Sequence, residues 1–84
     1  MRIATVRSVC ECQTQLAADV DEHLNVVRGW ARDGRGRQMI APANALRAGD
    51  GRFDVGWMCP ACTRNVLRSF DASAVAFREE KAAV

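Results

Sequence analysis

Four cysteines in two pairs are the residues of this chain best suited to chemistry. Cys10 and Cys12 bracket one residue in VRSVCECQTQ, and Cys59 and Cys62 bracket two in DVGWMCPACTRN. A tetrahedral Zn²⁺ takes four thiolate or imidazole ligands at about 2.1–2.3 Å, and four cysteines complete one such set. Proline inside the second pair pre-sets the φ of a tight turn that presents both sulfurs to one ion. Three other chemistries use the same residues. Iron, alone or in a sulfur cluster, accepts thiolates as zinc does. A Cys-Pro-x-Cys pair can work as a redox dithiol, although no strand–helix–strand pattern surrounds WMCPAC. Disulfides are the third, and they belong to oxidising compartments.

The totals favour the metal. Eighty-four residues make one domain, spanning 1–84, with little room for a deep core. Chains of this size often need a metal or disulfide staple. MRIATVRSVC holds no apolar run long enough for a signal peptide. No stretch approaches the roughly 20 apolar residues of a membrane span. The expected compartment is a reducing cytoplasm, where paired cysteines are metal ligands more often than disulfides.

Each cysteine pair must sit at the end of an element. RIATVRSV, rich in β-branched residues, predicts a strand running into Cys10, and RFDVGWM predicts one running into Cys59, with Phe53, Val55 and Trp57 on one face. LNVVRGW and RNVLRSF predict two more strands, and ARDGRGRQ a turn or exposed loop. TQLAADVDEHL predicts a short helix capped by Thr14, because Leu16, Val20 and Leu24 recur at i, i+4 and i+8. APANALRAGDG predicts a helical turn from Pro42 to Gly49, and DASAVAFREEKAAV a C-terminal helix capped by Asp71 or Ser73. The expected fold is therefore α+β: a small, β-rich domain with one C-terminal helix.

Strand, CPAC turn, strand RNVLRSF and capped segment DASAVAF resemble the second half of C4 zinc-ribbon modules. The order Cys-x-Cys then Cys-x-x-Cys is also similar to the zinc centre of bacterial redox-switch chaperones, in which oxidation expels the metal. What these resemblances imply is zinc ligation by Cys10, Cys12, Cys59 and Cys62, not chaperone activity.

The net charge of +2 is unevenly spread. Residues 11–22 carry Glu11, Asp19, Asp21 and Glu22 and no base, whereas residues 28–68 carry eight arginines against Asp33, Asp50 and Asp54. In VVRGWARDGRGR, aromatic and basic residues interleave. Arg28, Arg32, Arg35 and Arg37 can track phosphates while Trp30 stacks on a base, and Gly29, Gly34 and Gly36 would let the backbone approach a ligand closely. An acidic protein surface can use the same arginines, and the acidic stretch can serve a second copy of the chain. His23, the only histidine, reads as a surface residue, and Trp57 as a hydrophobic cover beside the cysteine turn. No Ser/His/Asp set, phosphate loop or calcium loop is present, so the chain reads as a non-enzymatic zinc module that binds nucleic acid. A protein–protein adaptor and a thiol redox sensor are the alternatives.

Overall fold

Local turn chemistry sets the hairpins that shape this fold. The computed structural model, which describes residues 2–79, contains eight strands: β1 (Arg2–Val9), β2 (Gln15–Asp21), β3 (Val26–Arg32), β4 (Gln38–Ile40), β5 (Ala43–Gly49), β6 (Arg52–Met58), β7 (Asn65–Asp71) and β8 (Arg78–Glu79). The β2–β3 and β3–β4 turns are built alike. An aspartate carboxylate, Asp21 or Asp33, accepts the amides two and four residues on at 2.8–2.9 Å. The residue three positions on is left-handed: Leu24 at φ 63° and Gly36 at φ 83°. This is the three-residue hairpin loop whose left-handed residue restores the strand register.

The strands form two antiparallel sheets, of order β4-β3-β2-β1-β8 and β5-β6-β7. Their inner faces pack together. Val6, Leu16, Ala18, Val20 and Ala31 from the larger sheet meet Phe53, Val55, Trp57 and Val66 from the smaller. The Trp57 indole N–H donates to the Ala17 carbonyl at 3.0 Å, which ties the layers together across the core. Phe70 stacks on Phe53 with centroids 5.6 Å apart and takes the edge of Trp57.

The chain changes sheet at Ala41–Pro42. The Ala41 amide donates to the Gly29 carbonyl of one sheet, and the Pro42 carbonyl accepts the Met58 amide of the other. Strands that bend from one sheet to the next make the corners of such sandwiches. Gly29 is required there: a Cβ on it would lie 2.3 Å from the Ala41 carbonyl oxygen. The close approach that glycine permits at this position serves the protein's own backbone rather than a ligand.

The structure corrects the α+β expectation. It is all-β, with no helix among the described residues. The expected helix over TQLAADVDEHL is β2, the central strand of the larger sheet, and Leu16 and Val20 lie on its inner face with Ala18 between them. Residues spaced by four satisfy a period of two as well as a period of 3.6. ANALRAG is β5, and Pro42 marks the corner before it instead of starting a helix. In the expected C-terminal helix, Asp71 does make cap-like bonds, accepting the Ser73 amide at 3.0 Å and its hydroxyl at 2.8 Å. The turn then stops, because Arg78 and Glu79 pair with Ile3 and Arg2 along the edge of β1. Residues 80–84 of that expectation lie outside the described residues. No helix among the described residues is long and apolar enough to cross a membrane.

Candidate metal centre

Both cysteine pairs sit in hairpin turns at the same end of the two sheets, Cys10 and Cys12 between β1 and β2, Cys59 and Cys62 between β6 and β7. The first turn repeats the aspartate turns with cysteine in the leading position. The Cys10 amide donates to the Thr14 carbonyl, the Gln13 amide donates back to the Cys10 carbonyl, and Gln13 is left-handed at φ 75°. The second turn is the same device lengthened by one residue. The Cys59 amide donates to the Arg64 carbonyl, the Thr63 amide to the Cys59 carbonyl, and Thr63 sits at φ 63°. The extra residue is the one that separates Cys-x-x-Cys from Cys-x-Cys. A β-branched residue in this region costs about 1–2 kcal/mol, so the turn's hydrogen bonds hold Thr63 in a strained conformation.

The two turns bring all four sulfurs within 4.8 Å of one another. Across the turns, Cys10 Sγ stands 3.5 Å from Cys62 Sγ, and Cys12 Sγ stands 3.6 Å from Cys59 Sγ. A tetrahedral ion with metal–sulfur bonds of about 2.3 Å needs sulfurs about 3.8 Å apart. The cluster therefore has the size of a four-thiolate metal site. All four cysteines are free thiols. Cys10 and Cys59 are buried, Cys62 is half-buried and Cys12 is exposed, which leaves one rim open to solvent. Trp57, expected as a cover beside the cysteine turn, is buried in the core.

The thiols differ in acidity. Cys12 is lowered to about 6, first by the Thr14 hydroxyl 3.2 Å away and then by the Thr14 amide. Thr14, expected as a helix cap, is instead buried beside the sulfur. Burial raises Cys59, but the amides of Cys62 and Ala61 outweigh it and leave this thiol lowered. The Arg64 amide pulls Cys62 down, yet desolvation and the neighbouring thiols push it up to about 12. Peptide N–H groups aimed at sulfur favour thiolate, the form a metal takes. Between the turns, Arg64 pairs with Glu11; both are exposed, so the pair adds little stability.

The residues expected in a binding loop divide between strand and turn. Arg28, Trp30 and Arg32 lie on β3, and Arg35 and Arg37 lie in the turn that follows. On the outer face of the larger sheet, Arg28 pairs with Asp19, which is buried and also accepts the Thr5 hydroxyl at 2.6 Å. Trp30 stands on the same face, half-buried, with Ala17 and Ile40 as cross-strand neighbours. Among the described residues, the guanidinium groups of Arg32, Arg35 and Arg37 form no ion pair. In the acidic stretch, Glu11 pairs with Arg64, Asp19 pairs with Arg28, and the Asp21 carboxylate accepts turn amides. His23 is exposed at the opposite end from the cysteines, as expected. Sequence reasoning missed Arg7 and Val9, which the β1–β2–β3 register brings beside Trp30 and Arg32. Cross-strand adjacency of this kind has no local signal.

No family model matches the chain, and neither do any curated proteins or solved structures.

Proposed function

We propose that the chain is a non-enzymatic, zinc-stabilised module, related in design to zinc ribbons, that binds nucleic acid through β3 and the turn after it. Four protein thiolates fill a tetrahedral site and leave no open position for substrate, which is the pattern of structural zinc. The cysteines join the turns of both sheets at one end, where the metal staples a thin core. The observation that carries the nucleic-acid reading is the run of arginines at Arg32, Arg35 and Arg37, which form no ion pair among the described residues, beside a half-buried Trp30.

The test has two parts. Elemental analysis of the purified protein should give one zinc per chain, lost on chelation. Affinity for mixed oligonucleotides should fall with salt, by about 0.7–0.9 in log–log slope for each phosphate neutralised. Replacing Arg35 and Arg37 with alanine should flatten that slope by roughly 1–2 without changing metal content. No binding at low salt by a folded, metal-loaded sample would remove the nucleic-acid reading.

A second reading, protein docking, is favoured by the outer face of the smaller sheet. Leu46, Leu67 and Met58 are 68%, 62% and 47% exposed there around the notch at Gly56. Self-association or partner capture that is lost in a Leu46→Glu, Leu67→Glu double variant with unchanged metal content would favour it.

A further inference from the structure

The outer face of the larger sheet holds a depression of about 460 Å³ lined by Arg7, Val9, Gln15, Ala17, Trp30 and Arg32. We infer that it is a stacking slot for one unpaired nucleobase, so that the module selects single-stranded over duplex nucleic acid. The inference rests on the nucleic-acid reading above and adds the form of the ligand.

Register builds the slot. Arg7, Ala17 and Trp30 lie side by side across β1, β2 and β3, and Val9, Gln15 and Arg32 form the next row. Arg7 and Trp30 therefore stand two strand spacings apart, roughly 9–10 Å between backbones, over a floor kept low by the Ala17 methyl. One wall is the Trp30 indole. The others offer the guanidinium groups of Arg7 and Arg32, neither of which forms an ion pair among the described residues. The Gln15 side chain adds both a donor and an acceptor for a base edge. No carboxylate lines the depression. The nearest carboxylate on this face, Asp19, is already held by Arg28 and Thr5. A planar, apolar ligand face attached to negative charge fits these groups, and a nucleotide within a strand has both. A paired base has its faces covered by its neighbours in the stack, so the slot requires an unpaired one. Arg35 and Arg37, in the next turn, extend the positive charge for flanking phosphates.

Fluorescence reads this site directly. Trp57 is 1% exposed, so a stacked base quenches Trp30 alone of the two tryptophans. The metal-loaded protein is titrated with oligothymidylate, with the matching duplex and with thymidine monophosphate, at low and moderate salt. The expected result is quenching by the single strand, with affinity about 5- to 150-fold above that for the duplex, the range of one stacked base. Trp30→Ala should erase that preference with metal content unchanged, whereas Trp30→Phe should keep most of it. An Arg7→Ala, Arg32→Ala double variant should weaken single-strand binding and flatten its salt slope. Salt-sensitive binding without quenching, equal for strand and duplex, overturns the slot while the nucleic-acid reading stands. Quenching by the monophosphate at the same affinity as the strand assigns the slot to free nucleotides and overturns strand selection. No binding of any probe at low salt overturns both readings.

Discussion

Replacing Cys62 with serine, or stripping the metal, should cost this domain a large share of its stability. A metal held by the four cysteines would join a turn of one sheet to a turn of the other, and Cys10 and Cys62 lie 52 positions apart in sequence. Treated as a cross-link, closure of a loop of about 53 residues removes roughly 14 cal/mol/K from the unfolded chain, or about 4 kcal/mol at 25 °C. At about 0.05–0.15 kcal/mol per residue, a chain of this length has a total of only about 4–13 kcal/mol. The cross-link alone converts to a fall in Tm of about 15–30 °C, at 4–8 °C per kcal/mol for domains of this size. Calorimetry of the loaded protein, the chelated protein and the chelated Cys62→Ser variant checks this. The two metal-free samples should melt at similar temperatures, far below the loaded one. A chelated wild type that melts cooperatively within about 5 °C of the loaded protein would refute the staple.

Thr14→Val removes the hydroxyl 3.2 Å from Cys12 Sγ with little change of shape, and should lower metal affinity by about 10-fold or more in a chelator competition. Gly29→Ala places a methyl against the Ala41 carbonyl and should cost about 1–3 kcal/mol in urea unfolding, with metal stoichiometry unchanged in the folded fraction. The acidity of the thiols gives a pH prediction for metal-free protein kept folded in the cold. Cys12, lowered from 9.0 to about 6, is thiolate at pH 7, whereas Cys62, raised to about 12, is not. The stabilisation of the Cys12 thiolate is fully present above pH 9.0 and is lost as pH falls through about 6. Iodoacetamide should therefore label Cys12 before Cys62 at pH 7, with a midpoint near 6 by peptide mass spectrometry; a midpoint near 9 would contradict the assignment.

The sequence by itself determined what depends on neighbours along the chain. Turn chemistry placed Cys59 and Cys62 at the end of β6, because Pro60 sits between two alternating strands and only a tight turn fits there. The inward set Phe53, Val55 and Trp57 followed from period-two alternation alone. The four clustered cysteines were legible because a thiol set is complete or incomplete by count. The tertiary structure decided the rest. QLAADVD carries good helix formers and a spacing that suits either period, and it becomes a strand because β1 and β3 flank it and satisfy its backbone groups. Asp71 makes the bonds of a helix cap, yet the chain turns back to pair with the edge of β1. Asp19 reads as part of an acidic patch, but it is buried against Thr5 and Arg28. Arg7 and Trp30, more than twenty positions apart, share one slot because β2 lies between them. Backbone pairing between distant strands sets such neighbours, and their spacing along the chain carries no trace of it.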